Sequence, residues 1–185
     1  MLATALLLML VAPTAVRWPV AAELPAPLPH VRTTDAAARA LVADGSRRSP
    51  LLRSLLAALD THRLVVFVRM PASCPSRGVL RFVSRAVGIT YLAACVDARQ
   101  SDVRRLAALA HELRHALEVA EARTPVTGTA DLERLYQDIG MRIGPGIYET
   151  EAAAAVERQV LAEVLSWRRG AHRMHEQISW QTHPS

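Results

Sequence analysis

Lysine is absent from this chain; all 22 basic residues are Arg. With so much Ala alongside, that bias looks like the product of a GC-rich genome, and it takes functional weight from the isoelectric point of 10.2. A formal charge of +5 would permit binding to nucleic acid or to an anionic surface. The arginines are scattered, however, and adjacent only at Arg47-Arg48, Arg104-Arg105 and Arg168-Arg169. Aromatic residues amount to 4%, too few for base-stacking platforms. Both shortages argue against a nucleic-acid binder. There is no internal repeat, and 185 residues are enough for one domain with a sizeable core but too few to expect two. A hydrophobic content of 51% excludes a disordered chain.

The apolar run Met1 to Ala12 carries no charge and is too short to span a bilayer, which takes about 20 apolar residues. It suits the hydrophobic region of a signal peptide, with Val20-Ala21-Ala22 as small residues at a cleavage point. No Arg precedes the run, so the alternatives are an uncleaved anchor, with membrane association through the N-terminus, or a frayed cytosolic end. Export to the periplasm or beyond is the preferred expectation. The only two cysteines, Cys74 and Cys95, either form one disulfide in an oxidising compartment or are two buried small hydrophobes.

Four segments follow: 1–22 as signal peptide or anchor, 23–33 as a Pro-rich linker, 34–168 as a single domain, and 169–185 as a polar tail. Within the domain, Thr34 or Asp35 opens a short helix ended by Gly45, and Ser49-Pro50 provides the cap and first position of another from Leu51 to Leu59. Leu64 to Val68, Val79 to Ser84 and Ile89 to Val96 read as three strands. Asp102 to Ala122, with Ser101 as N-cap, contains no Gly or Pro and reads as a long helix. A helix near Ala130 to Ile139 comes next; Gly140, Gly144, Pro145 and Gly146 then break the chain before a last helix from about Tyr148 to Trp167. Early helices, a strand cluster and late helices predict an α+β fold with segregated elements.

The long helix carries His111-Glu112-Leu113-Arg114-His115, which spells H-E-x-x-H. Residues four apart on a helix lie one above the other, so both imidazoles can reach one metal ion. Glu112 sits about 100° around the helix from His111, placed to act as general base toward a metal-activated water. Leu106, Leu109, Ala110, Leu113, Leu117 and Ala120 form an apolar stripe, and His111, His115 and Glu118 fall on the other side. That side is either the wall of a groove or a solvated polar face.

Zinc in a catalytic site needs a third protein ligand. Tyr148-Glu149-Thr150-Glu151 offers two carboxylates about 200° apart if helical, so only one can face the metal. Glu149 shares its row with Ala153, Val156, Val160 and Val164 and is preferred; Glu151 reads as a helix N-terminal carboxylate favoured by the macrodipole. Glu118 stands as an alternative ligand or as a partner to one. His172 and His175, three apart on the polar tail, read as solvated.

On His111 to His115 and Glu149-x-x-Ala152-Ala153, within a layout spanning Leu64 to Trp167, the chain resembles the gluzincins, zinc metallopeptidases with a ligand Glu on a later helix. It departs from them in Arg114, where an uncharged residue is usual, and in Ala153, where an Asp often supports a zinc-bound His. There is also no room for a large second lobe. The metzincin pattern fits less well, having Glu118 and Glu121 where Gly and His are needed. The resemblance implies a minimal zincin-like domain in which a three-stranded sheet packs on the H-E-x-x-H helix and a ligand-Glu helix. It implies Zn2+ on His111, His115 and Glu149, Glu112 as base, and a peptide or protein as substrate. It further implies that Ile89 to Val96 is the strand beside the cleft, pairing with the substrate backbone. Tyr148 or Tyr136 would polarise the scissile carbonyl, with packing the favoured role for Tyr136. The competing expectation is a non-catalytic zincin-like domain with a structural or partner-binding role.

Overall fold

A computed structural model of the protein describes residues 29–181, with side chains through residue 171. The segment read as an export signal or anchor therefore lies outside the described residues, as do the side chains of His172 and His175. The elements run β1 Val31–Thr33, α1 Ala36–Arg48, α2 Pro50–Leu59, β2 Leu64–Arg69, β3 Gly78–Ala86, β4 Ile89–Val96, α3 Asp102–Glu121, α4 Thr129–Ile139, β5 Met141–Gly144, β6 Ile147–Glu149 and α5 Glu151–Gln181. The class is α+β, with five helices and a small mixed sheet among the described residues.

Local chemistry accounts for most boundaries. Asp35 caps α1 by accepting from Ala38 N at 2.6 Å, and Ser49 caps α2 by accepting from Leu52 N at 3.0 Å, with Pro50 at the first position. Ser101 precedes α3 but makes no side-chain capping bond. Gly45 does not end α1 as its type suggests. It is buried inside the helix, where a Cβ would run into the side chains of Leu52 and Leu106, so its role is close packing between helices.

The main sheet has four strands rather than the expected three, in the order β1-β2-β4-β3. The extra strand comes from the end of the Pro-rich stretch: β1 pairs parallel with β2, Val31 opposite Val66. Strands β2 and β4 are parallel and β3–β4 antiparallel. Val66 stands opposite Leu92 and Val68 opposite Ala94, so these four fully buried side chains share one face. Leu106, Leu109 and Leu113 of α3 join them in a single core, to which α5 adds Val160 and Val164.

Helix α5 thus covers the side of α3 that its polar residues mark as solvated. His115 and Glu118 are buried there. The helix also runs on through the polar tail to Gln181. Cys74 and Cys95 are joined as a disulfide that ties the loop before β3 to β4. Among the described residues no helix is long and apolar enough to cross a membrane.

Candidate metal centre

Twenty residues of unbroken helix hold His111 and His115 one turn apart, and their rings meet edge to face with centroids 4.7 Å apart. The two Nε2 atoms are 3.1 Å from each other. Oε1 of Glu149 comes to 3.6 Å from Nε2 of His111, and one ligand atom from each of the three residues falls within 4.8 Å of the others. This group can hold a metal ion.

Glu149 arrives there by a route the helical reading did not foresee. It is the last residue of β6, in a two-stranded hairpin where Met141 faces Glu149 and Arg142 faces Tyr148. Pro145 and Gly146 turn the chain, Gly146 with φ of 64° in the left-handed region. Helix α5 begins only at Glu151, capped by the Thr150 hydroxyl, which accepts from Ala153 N at 3.1 Å. The shared row with Val156 and Val160 is therefore not what aims Glu149; extended backbone and the hairpin turn do so. Glu151 sits in the first helical turn, 86% exposed, and pairs with Arg158 at 2.7 Å.

The protonation of the imidazoles follows from their far sides. His115 Nδ1 lies 2.9 Å from Glu118 Oε2. His111 Nδ1 lies 3.2 Å from Glu157 Oε2, at ion-pair distance though without the alignment of a hydrogen bond. An ionised carboxylate only accepts, so Glu118 by a hydrogen bond and Glu157 by its charge favour the ring proton on Nδ1, which leaves a lone pair on Nε2. Two lone pairs then converge at 3.1 Å beside a third carboxylate, an arrangement that only a cation or a shared proton makes favourable. The electrostatics of His111 agree. Burial disfavours its charged form, yet Glu157, Glu112 and Glu149 outweigh burial and raise its pKa above the ordinary value.

Glu112 is 4% exposed, and its carboxyl is raised to about 8, chiefly by desolvation, with Glu149 and Glu157 adding to the rise and His111 opposing it. Its carboxylate fits over Gly78, the first residue of β3, where a Cβ would stand 2.5 Å from Oε1. Glu118 behaves oppositely. Burial pushes its carboxyl up, but hydrogen bonds from His115 and Thr150 and the charge of Arg114 bring it below the usual range. Arg114 turns to Glu118 and Glu121, at 3.6 and 3.5 Å, which gives the unusual charge in the motif a local partner.

Tyr136 is buried and donates its hydroxyl to the backbone oxygen of His115 at 2.9 Å, fixing the helix rather than facing a ligand. Tyr148 stacks on Tyr136 at 6.2 Å between centroids and borders a cleft of about 490 Å³ that also contains His111, Glu112, His115 and Glu149. One wall of the cleft is β3, from Gly78 to Phe82, and the other is the β5–β6 hairpin. Strand β4, Ile89 to Val96, is not the cleft strand: β2 and β3 occupy both its edges. Among the described residues the edge strands of this sheet are β1 and β3, and it is β3 that lines the cleft.

Glu157 is the residue that sequence reasoning missed. It lies four after Ala153 and three before Val160, both fully buried, so a carboxylate interrupting an apolar row was the available signal. Comparison with protein-family models, with curated proteins and with solved structures gives no match.

Proposed function

We propose that the chain is a small zinc-dependent peptidase of gluzincin-like, minimal zincin type. The observation that carries this reading is the pair of Nε2 atoms 3.1 Å apart, each imidazole with a carboxylate on its far side, and Glu149 Oε1 3.6 Å from one of them. Two ligand atoms on a tetrahedral zinc stand about 3.3 Å apart; two of the separations here are 3.1 and 3.6 Å, and all three ligand atoms lie within 4.8 Å of one another. Two nitrogens and one carboxylate leave a fourth position open, the donor set of a catalytic rather than a structural site. Zinc so held would act as a Lewis acid and lower the pKa of a bound water to roughly 7.

The chain's own groups then divide the work. His111, His115 and Glu149 bind; Glu112 takes the proton of the attacking water on a carboxylate oxygen and returns it to the leaving amine nitrogen. Tyr148, which borders the cleft on the hairpin wall, would polarise the scissile carbonyl. The free edge of β3 offers backbone pairing to an extended peptide, a role first assigned to Ile89–Val96. Glu118 and Glu157 occupy the supporting role that the Asp missing at Ala153 would play. Export of the protein is consistent with the Cys74–Cys95 disulfide, which persists in oxidising compartments.

Protein purified without chelator should carry about one zinc per chain by elemental analysis and should cleave members of a mixed peptide library. A metal-free protein unable to take up zinc would overturn the proposal. Stoichiometric zinc with no hydrolysis would favour the structural or partner-binding role instead.

A further inference from the structure

We propose that Glu118 and Thr150 form a latch that positions both halves of the metal site, holding His115 and Glu149 in one fixed relation. The inference rests on the three-ligand reading and goes beyond the hydrolytic one, since it concerns how two distant parts of the chain are kept in register. Glu118 is buried on α3, three residues after His115. Its Oε2 accepts from His115 Nδ1 at 2.9 Å and its Oε1 from the Thr150 hydroxyl at 2.8 Å. Thr150 is buried too and follows Glu149 directly. Its backbone N–H donates to Glu149 Oε1 at 3.1 Å, and its hydroxyl oxygen accepts from Ala153 N at 3.1 Å.

The hydrogen-bond arithmetic closes. The hydroxyl has one proton, given to Glu118, and uses a lone pair for the helix cap; the carboxylate only accepts. One residue thus aims the ligand carboxylate through its backbone and, through its hydroxyl, grips the carboxylate that fixes the imidazole. Tyr136 also links the two sides, through the backbone oxygen of His115 and the ring of Tyr148, but the latch is the contact that reaches the His115 imidazole and the Glu149 carboxylate themselves. Arg114 Nε, 3.6 Å from the same Oε1, supports the charge. Glu118 and Thr150 are positioning residues, acting on the metal only through His115 and Glu149.

The test is a zinc titration of the full chain in competition with a chelating dye, read for the parent, Thr150→Val, Thr150→Ser, Glu118→Gln and the Glu118→Gln/Thr150→Val double variant. Loss of a partner to a metal ligand weakens binding by about 10–100-fold. Thr150→Val and Glu118→Gln should each fall in that range, and Thr150→Ser should restore affinity to within about twofold of the parent. The double variant should be no weaker than Glu118→Gln by more than about twofold, because the Glu118–Thr150 contact that the two changes share is already disturbed in each single variant. The absorption bands of the cobalt-loaded protein should shift in Thr150→Val and return in Thr150→Ser. Losses that multiply in the double variant would overturn the latch. So would a Thr150→Val protein that binds zinc like the parent and only unfolds more easily when metal-free, the mark of a helix cap alone. A parent that takes up no zinc would overturn the metal site itself, an outcome distinct from a zinc-binding parent with unaffected variants.

Discussion

Helix α3 and the β5–β6 hairpin supply the same cluster by opposite means. On α3, the two imidazoles and the Glu112 carboxylate come from five consecutive residues, and the helical repeat alone brings His111 over His115. On the hairpin, the Glu149 carboxylate stands at the end of a three-residue strand, held by cross-strand pairing, a glycine turn and the bond from the next residue, Thr150, to Glu118. The helix is buried and anchored in the core, whereas Met141 and Ile143 of the hairpin are 70% and 61% exposed. One side of the site is rigid by local geometry; the other depends on tertiary contacts for its aim.

The largest effect should come from the helix side without disturbing the metal. Glu112→Gln keeps size and fold but cannot take a proton, so hydrolysis should fall by about 10²–10⁴-fold while zinc content stays at the parental level. Equal peptide cleavage by variant and parent would remove Glu112 from the role of base.

The hairpin side is tested by its two neighbouring carboxylates. Glu149→Ala should weaken zinc by about 100-fold, and Glu151→Ala, whose side chain is exposed and paired with Arg158, should change it less than about threefold. A reversed order in measured affinities would transfer the ligand to Glu151 and place the helix start elsewhere.

Burial of the base predicts a pH dependence in chelator-treated protein. Folded Glu112 keeps its proton to about pH 8, against 4.5 for an unperturbed group, so the folded state binds more protons across that window. Stability should therefore fall as pH rises, by roughly 2 kcal/mol between pH 5 and 7, and Glu112→Gln should flatten that part of the curve. Denaturant melts at several pH values check this; a parent curve as flat as the variant's would contradict the burial.

A smaller effect should follow from Gly78→Ala, which adds a methyl where Glu112 Oε1 now lies. The flexible carboxylate moves aside, and turnover should drop about tenfold with zinc affinity unchanged, because the base and not the ligands is displaced. An unchanged turnover number would show that Glu112 has slack the packing does not suggest.

How far the site was legible follows the same division. The helices were readable from caps and periodicity: Asp35, Ser49-Pro50 and the stripe from Leu106 to Leu117 each act locally. The three longer strands were readable from β-branched apolar runs. Strands β1, β5 and β6 were not, because three or four residues with Pro or Gly nearby carry no periodic signal and exist only by pairing with a partner. Gly45 misled for a related reason: a glycine required by contact with Leu52 and Leu106 looks like one that ends a helix.

The sequence by itself determined that two imidazoles and a carboxylate lie on one helix and that the chain is α+β, and it offered Glu149, Glu151 and Glu118 as further carboxylates. A helix repeats every 3.6 residues whatever surrounds it, so these relations are fixed within a few turns. Only the tertiary structure decided that Glu149 reaches the site from a strand, that β3 rather than β4 lines the cleft, and that Glu118 and Glu157 stand on the far sides of the two imidazoles. Those relations join residues tens of positions apart, where strand pairing and burial, not local propensity, set which groups meet.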